Sequence, residues 1–453
     1  MNYAIVLAAG KGTRMKSDKN KVMHDLMGKP MIGHLVDHLE EIDLDEIVVV
    51  TGYQKEAVEE YLKGRVSFAY QGDQIGTGNA VAQVEQLKNK KGSTLVVLGD
   101  CALLQPQTLQ EVFAAHEGYD LTLTTAIVEE PKTYSRIIRD SQGRIDRVSD
   151  YRDSSELEKT SKEINLGVYC FDNELLFHYL PKIEEIEGKD ELNIIDLVKI
   201  MKEDNRKIQA LKVEDAREFM GVNDRVQLST AHKWMRKIIN QKHLDKGVSI
   251  LDPDTTYIGP DVIIKEDVVI YPNNHIYGAS VIDKNSVIYP GCWLENANIG
   301  QGVIIESSKV INSRVGEQTT IGPNAHLRAQ TDIGKSCRIG NYVEIKNTVV
   351  GNNSSMAHLT YLGDAKVGKY VNIGCGVITA NYDGKHKHQT KIGDHVSIGS
   401  NATLIAPVKI ESHAVVAAGS TITDDVQEES LAIARVRQEV KKSYKKRENE
   451  NER

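Results

Sequence analysis

Gly10 and Gly12, the cations around them and a distant aspartate are the residues of this sequence best suited to handling a phosphate chain. LAAGKGTRM (7–15) follows directly on the apolar run Tyr3–Ala8. A glycine-rich backbone after a strand can present N–H donors to phosphate oxygens, and Lys11, Arg14 and Lys21 add positive charge. Spacing excludes two commoner phosphate loops. No second Gly-Lys pair completes a Walker motif, and Met15 stands where a dinucleotide fingerprint needs a third glycine. Asp100 ends the run VVLGD, where a carboxylate facing bound phosphates can ligate Mg2+. QGDQIGTGNA (71–80) is a second glycine loop opening a helical pattern, with free N–H groups for a base or sugar. Each signal also has an ordinary reading by itself: a G-x-G is a tight turn, and Asp100 a turn cap.

The surrounding elements favour the chemical reading. Tyr3–Ala8 reads as a buried strand, and with no basic residue ahead of it MNYAIVLAAG is not a signal peptide. Helical pattern over 31–42 leads to a strand at 47–51, helical pattern over 54–62 to a strand at 68–71, and helical pattern over 80–87 to a strand at 95–98. That alternation predicts a Rossmann-like, doubly wound parallel α/β sheet whose ligands gather beyond the carboxyl ends of the strands.

The second half follows another rule. Ile321, Leu327, Ile333, Ile339 and Ile345 recur at every sixth position, and glycine follows three of them. A period of six fits neither an amphipathic helix nor an alternating strand. It predicts a left-handed parallel β-helix, in which each hexapeptide is one side of a triangular prism, its aliphatic residue points inward and the next glycine or small polar residue takes the turn. The register extends upstream through Ile258, Ile264, Ile270, Ile276, Ile282, Ile288 and Leu294, and downstream through Ile392, Ile398, Leu404, Ile410, Val416 and Ile422. It slips near 299–315 and again after Ile345. ANYDGKHKHQTK (380–391) interrupts it with a polar loop of the kind that carries binding function, although a bare oligomerisation rod also accounts for the repeat. Between the halves, Arg225–Leu244 has helical composition with Val226, Ala231, Met235, Ile238 and Ile239 apolar. The expected domains are therefore 1–224, a helical linker at 225–250, and a β-helix with C-terminal tail at 251–453.

Composition narrows the function classes. A chain of 453 residues has room for two or three domains, and 40% hydrophobic with 26% charged residues is ordinary for a soluble protein. No apolar run approaches the roughly 20 residues of a membrane span. A net charge of −8 argues against nucleic acid as a partner, and the basic tail Lys441–Lys446 reads as a solvated end. Five scattered cysteines without a CxxC pair point to a reducing cytoplasm, with neither a disulfide framework nor a zinc site.

LAAGKGTRMKSD, KVMH (21–24), GKPM (28–31), QIGTGNA, GD (99–100), EINLG (163–167) and GVND (221–224) together resemble the sugar-phosphate nucleotidylyltransferases. LR (327–328), NYVEIK (341–346), HLTYLGD (358–364), NIGCG (372–376), ITANYDGK (378–385) and AIARVRQ (432–438) resemble the acetyltransferase half of the bifunctional N-acetylglucosamine-1-phosphate uridylyltransferases / glucosamine-1-phosphate N-acetyltransferases. The resemblance runs from Tyr3 to about Gln438 and implies synthesis of UDP-N-acetylglucosamine, a cell-wall precursor. It implies nucleotide-sugar contacts at Leu7, Ala8, Ala9, Gly10, Lys21, Gln71, Gly76, Thr77, Asp150, Asn165 and Asn223, with Asp100 and Asn223 as Mg2+ ligands. In the second half it implies His358 as general base, a role that suits histidine's unperturbed pKa of roughly 6.5. Arg328, Lys346, Tyr361, Asn372, Asn381 and Tyr382 are implied to bind glucosamine 1-phosphate, and Ser400, Ala418 and Arg435 acetyl-coenzyme A. A homotrimer is implied as well, with each acetyltransferase site built between neighbours.

Departures from the family pattern cluster in the first half. Ala102 replaces a proline, Ser135 a glycine, Asp150 a glutamate, Leu166 a small hydroxyl residue, and ELNIID (191–196) an aromatic stretch. Ser135 is expected to matter most, since its Cβ can crowd a ligand that approaches the backbone. Uridylyl transfer is expected to survive these changes. In the second half Ala329-Gln330 replaces Pro-Gly after Arg328, and Cys375 stands at an alanine-type position. A single-activity nucleotidylyltransferase with a structural or regulatory β-helix is the alternative. The joint presence of Arg328, Lys346, His358, Asn381 and Tyr382 weighs against it.

Overall fold

The computed structural model describes residues 1–184, 191–442 and 444; Lys445 and Lys446 of the basic tail, with the rest of the C-terminus after Tyr444, lie outside the described residues. The chain divides into two compact units, Met1–Met235 and Arg236–Arg453.

In the first unit the strands are β1 (Asn2–Leu7), a short hairpin β2 (Asp25–Leu26) and β3 (Lys29–Pro30), β4 (Glu46–Thr51), β5 (Ser67–Tyr70), β6 (Ser93–Leu98), β7 (Leu121–Ile127), β8 (Arg136–Arg139), β9 (Ile145–Ser149), β10 (Glu163–Asp172) and β11 (Ile208–Lys212). The main sheet runs β11-β7-β10-β6-β1-β4-β5, with β8 on β10 and β9 on β8. Strands β6, β1, β4 and β5 are parallel, as the alternating pattern predicts. Strand β10 is antiparallel to both β6 and β7. It is entered from the β8–β9 hairpin and a single helical turn at Glu156–Lys159, which is too little chain for a parallel crossover. The helices are α1 (Met31–Glu40), α2 (Lys55–Tyr61), α3 (Thr77–Ala82), α4 (Pro106–His116), α5 (Glu156–Lys159), α6 (Asn173–Tyr179), α7 (Asp196–Glu203) and α8 (Arg225–Leu244). The helix expected at 80–87 instead starts at Thr77, directly on the glycine loop, and a 3-10 turn at Glu85–Leu87 follows.

Alternate residues of the same strands feed two cores. Tyr3, Ile5, Val48, Val50 and Val96 pack on one face with Leu197 and Met201, while Ala4, Val6, Val49 and Val97 pack on the other with Ile32, Leu35 and Leu109. Both faces of the central strands are thus covered, which is why those strands read as unbroken apolar runs.

In the second unit, strands mostly of two or three residues stack in parallel as a left-handed β-helix. Ile258 lies beside Ile276, Ile264 beside Ile282 and Ile270 beside Ile288, so each rung is three hexapeptides. The two slips are shortened corners. Ile282 pairs with Ile299, Leu294 with Val310, Ile339 with Met356 and Ile345 with Leu362, and all of these side chains remain buried. Glycine is not the usual turn residue. Left-handed conformers at the corners fall on Asn273, Asn285, Asn296, Asn312, Asn324 and Asn353, among others. Asparagine tolerates that region better than other side chains. Gly340 serves rung stacking instead, since a Cβ there would meet Ala357 O of the next rung at 1.9 Å.

Helix α8 contributes to both units. Ala231, Met235 and Ile239 are buried as the pattern predicts, but Val226 is 77% exposed. Arg225 Nε donates to Met15 O at 3.2 Å in the first unit, and Asn240 Nδ2 donates to Pro253 O and Thr256 O in the second. Among the described residues no helix is long and apolar enough to cross a membrane.

Candidate active sites

Parallel pairing of β1, β4 and β6 brings their carboxyl ends together, and the first cleft opens there. Leu7, Ala8, Ala9, Gly10, Lys21, Gln71, Gly76, Thr77, Asp100 and Asn223 all line a cavity of about 480 Å3. At its centre Lys21 Nζ donates to Asp100 Oδ2 at 2.6 Å and to Asn223 Oδ1 at 3.1 Å, while Arg14 Nη2 reaches the same amide oxygen at 3.1 Å. Asp100 is only 3% exposed, so its charge needs a cation beside it. Carboxylate and amide oxygens from chain segments far apart in sequence thus converge on a single cationic atom. An oxygen-only donor pair of this kind fits a hard divalent cation that takes its remaining ligands from phosphate and water.

Gly76, just before α3, has φ +127, and a Cβ there would lie 2.4 Å from Leu192 O. The segment that departs from the family pattern, 191–196, therefore closes directly on the glycine loop. Gly78 N donates to Leu192 O and Leu192 N to Ile75 O, both at 2.7 Å, and Thr77 Oγ1 accepts from Ile194 N at 3.0 Å. Gln71 Nε2 donates to Asn79 Oδ1 at 2.8 Å and to Gly76 O at 3.1 Å, which fixes the other side of the loop.

A second cavity of about 490 Å3 shares Arg14, Thr77, Leu98, Glu191, Asn193 and Asn223 with the first and extends it towards Ser135, Asp150, Asn165 and Leu166. Asn165 N donates to Ser135 O at 2.9 Å, and Asn165 Nδ2 to Tyr169 Oη at 2.6 Å. Ser135 does not occupy the left-handed region, so its backbone makes no demand for glycine. Arg152 ties Asp150 to Glu191, donating to Asp150 Oδ1 from its main-chain N–H at 2.9 Å and from Nε at 3.1 Å, and to Glu191 Oε2 at 3.1 Å.

On the β-helix the candidate residues fall on two neighbouring corners. His358 pairs with Asn341 on the rung before it, and Leu359, which follows, sits in the left-handed region at φ 35. A bulky side chain in that conformation is strained, a feature that clusters at functional sites. Successive rungs continue the corner: Gly376 N donates to Leu359 O, Asn401 N to Cys375 O and Gly419 N to Ser400 O, at 2.7–2.8 Å. His358, Cys375, Ser400 and Ala418 therefore stack as one column, and Arg435 passes close to Gly419.

The next corner gathers charge. Arg328 Nη1 donates to Glu344 Oε1 at 2.7 Å, and Lys346 pairs in register with Gly363. Asp364 accepts from Asn347 Nδ2 at 2.5 Å through one oxygen and from Asn381 Nδ2 through the other. A Cβ on Gly363 would meet Tyr361 Oη and Asn381 Nδ2, so glycine there makes room for both side chains. Tyr382 extends outward, its hydroxyl donating to Gly384 O at 2.7 Å. Asn372 is not in this group within one chain. It pairs with Ser355 and Ser397 on the preceding face, across the His358 corner.

One cation of this corner has no counterpart among the matched residues. Side-chain contact with Lys387, inside the polar interruption, and next its charge, with a smaller effect from Arg328, hold the Lys346 ammonium below the ordinary lysine range. Crowded cations of this kind mark an anion site. The signal in the sequence was the KHKH run of the loop, whose direction no local pattern gives.

Comparison with known proteins agrees with both halves. Residues 4–155 match the MobA-like NTP transferase domain family, and residues 312–347 and 389–424 match the bacterial transferase hexapeptide (six repeats) family. The chain is 44% identical over 98% of its length to the bifunctional protein GlmU of Shouchella clausii (99% of that protein) and 44% identical, again over 98%, to that of Listeria welshimeri (98%). It is 45% identical over 98% of its length to the bifunctional protein GlmU of an Exiguobacterium species (99%).

Proposed function

Because the chain belongs to the family of bifunctional GlmU proteins, we propose that its two halves act in turn on one sugar, with the residues described above in named roles. The protein is an enzyme with two transferase activities, acetyl transfer to glucosamine 1-phosphate and uridylyl transfer to N-acetylglucosamine 1-phosphate, which together make UDP-N-acetylglucosamine. The domains we assign to them are 1–224 and 251–453, joined by the linker 225–250, of which Arg225–Leu244 is helix and Ser249–Ile250 already a strand of the β-helix.

For acetyl transfer, the amine of glucosamine 1-phosphate attacks the thioester carbonyl of acetyl-coenzyme A. A C–N bond forms, the C–S bond breaks, and the amine must lose a proton. We assign that proton to His358, with Ser400, Ala418 and Arg435 placing the thioester along the same column of rungs. Arg328, Lys346 and Lys387 neutralise the sugar phosphate, and Tyr361, Asn381 and Tyr382 line the sugar. Asn372, Arg435 and the exposed His358 are completed by neighbouring chains in a homotrimer. The stacked aromatic strip Tyr257, His275 and Trp293, with Trp293 37% exposed, supports association of prisms.

For uridylyl transfer, a phosphate oxygen of N-acetylglucosamine 1-phosphate attacks the α-phosphorus of UTP in line, and the bond to the β-phosphate oxygen breaks to release pyrophosphate. This chain aligns and neutralises. Leu7–Gly10 lie against the nucleotide, Gln71, Gly76 and Thr77 orient the base, and Asp150 and Asn165 hold the acetylated sugar. Lys21 and Arg14 face the phosphates. The family requires a divalent metal; we assign Mg2+, held by Asp100 and Asn223, to offset charge on the leaving pyrophosphate. Free cysteines suit a cytoplasmic setting.

The observation that carries the reading is the convergence of Asp100 and Asn223 on the Lys21 ammonium beside the glycine loop. Its test is pyrophosphate release from UTP and N-acetylglucosamine 1-phosphate with Mg2+. Asp100→Ala is expected to abolish release; release that survives this substitution removes Asp100 from the site.

A further inference from the structure

Asn20, Gly52 and Tyr53 line neither cavity of the first cleft, yet they join its two phosphate-facing segments. Gly52 and Tyr53 follow directly on strand β4 and turn against the glycine loop. Tyr53 N donates to Ala9 O at 3.0 Å, and a Cβ on Gly52 would lie 2.7 Å from Ala9 O and 2.8 Å from Ala9 Cβ. The Tyr53 carbonyl in turn accepts from Asn20 Nδ2 at 2.6 Å. The other half of the same amide, Asn20 Oδ1, accepts from Val22 N at 3.1 Å and caps the 3-10 turn Lys21–Met23, which carries Lys21. Asn20 is only 1% exposed.

The two halves of that amide do different work. Capping a turn takes an acceptor alone, which serine supplies as well as asparagine. The donor half serves the Tyr53 carbonyl, which is partly buried and falls short of a donor without it. Asparagine at this position therefore ties the Lys21 turn to the corner that holds Ala9. The joined segments also touch directly: Gly12 has φ +63, and a Cβ there would lie 2.6 Å from Lys21 Cβ. The same corner receives the loop's own cation, with Lys11 Nζ 5.5 Å from the centre of the Tyr53 ring.

We infer that Asn20 is a positioning residue for uridylyl transfer, acting through the Gly52–Tyr53 corner to hold Lys21 and the glycine loop together on one triphosphate chain. The inference rests on the reading of this cleft as the uridylyl-transfer site. Asn20 itself touches no substrate. Cutting its link frees the Lys21 turn from the loop, and both of these face the phosphates of UTP, whereas the acetylated sugar lies towards Asp150 and Asn165. The loss therefore falls on UTP and spares the sugar phosphate, a split that kinetics resolve.

The test follows pyrophosphate release by the full chain from UTP and N-acetylglucosamine 1-phosphate with Mg2+, in Asn20→Ser and Gly52→Ala. Serine keeps the cap but is too short to reach Tyr53 O, and Gly52→Ala pushes on Ala9 from the other end of the link. Asn20→Ser is expected to raise KM for UTP about tenfold, the loss of one partly buried hydrogen bond, with KM for N-acetylglucosamine 1-phosphate held to within about twofold. Gly52→Ala is expected to raise KM for UTP in the same selective way. A fraction of unfolded protein lowers kcat but moves no KM, so this signature does not come from poor folding. KM for UTP that stays put in either variant, or that rises together with KM for the sugar phosphate, overturns the inference while leaving the uridylyl-transfer reading in place. Wild-type protein that acetylates but releases no pyrophosphate overturns that reading and the inference with it.

Discussion

Replacing Gly363 by alanine puts one methyl group where two candidate substrate-binding side chains already sit. The added Cβ would lie 2.5 Å from Tyr361 Oη and 2.6 Å from Asn381 Nδ2. Ordinary contact begins near 3.5 Å, so each group must retreat by roughly 1 Å. Asn381 is 8% exposed and donates to Asp364, whose other oxygen is engaged by Asn347, so a retreat of that size breaks the Asn381–Asp364 bond. A hydrogen bond to a charged group contributes about 1.5–3 kcal/mol, which corresponds to roughly a ten- to hundredfold loss in kcat/KM if the pocket depends on it. The backbone at Gly363 is not left-handed, so alanine adds no conformational strain there. The assay is thiol release from acetyl-coenzyme A with glucosamine 1-phosphate, beside pyrophosphate release by the same preparation. Acetylation is expected to fall by at least about tenfold while uridylyl transfer holds to within about twofold. Acetylation by Gly363→Ala at the wild-type rate would refute the placement of Tyr361 and Asn381 against the substrate.

Three further outcomes follow from single groups. Lys387 holds Lys346 below the ordinary lysine range, so KM for glucosamine 1-phosphate is expected to start rising at a lower alkaline pH than an isolated lysine would set, and Lys387→Met is expected to shift that rise upward; a rise that does not move contradicts the pairing. Burial lowers His34 to about 4, against about 6.5 for an unfolded histidine, so the unfolded chain takes up the extra proton first as pH falls. The stability from keeping His34 neutral is fully present above pH 6.5 and lost on the way down to about 4, by about 3 kcal/mol. His34→Gln, which keeps a donor for Leu26 O, is expected to flatten that acid limb in the first unit's unfolding, and an identical limb would clear His34. Ser135→Gly is expected to change KM for N-acetylglucosamine 1-phosphate by no more than about twofold, because Ser135 has an ordinary backbone and uses its carbonyl to hold Asn165; a tenfold fall in KM would mean that the hydroxymethyl obstructs the sugar.

The inward column of the β-helix was legible residue by residue, because burial inside a prism imposes a period that no helix or flat sheet shares. Its slips at Ile299–Val315 and after Ile345 read as breaks, yet the structure absorbs them at the corners, where lost residues carry no buried side chain. The apolar runs at Tyr3–Ala8 and Leu95–Leu98 marked central strands covered on both faces. Direction was not legible for Glu163–Asp172, since burial records only which face a side chain takes. In the first cleft the glycine loop, Lys21 and Asp100 were visible as chemistry, whereas the Lys21 bridge to Asn223 joins segments that only the fold brings together. Lys387 shows the same limit: the polar loop 380–391 reads as one that carries binding function, but which of its residues acts is set by a hairpin closure that no local pattern gives. Asn372 shows the converse, a motif residue that within one chain faces away from its partners.

The most direct test supplies the whole protein with glucosamine 1-phosphate, acetyl-coenzyme A, UTP and Mg2+, and follows sugar products, thiol and pyrophosphate together. Wild type is expected to yield UDP-N-acetylglucosamine. Asp100→Ala is expected to stop at N-acetylglucosamine 1-phosphate, and His358→Ala to make nothing from glucosamine 1-phosphate while still uridylylating added N-acetylglucosamine 1-phosphate. Wild-type protein that accumulates N-acetylglucosamine 1-phosphate and releases no more pyrophosphate than Asp100→Ala would contradict the two-activity account.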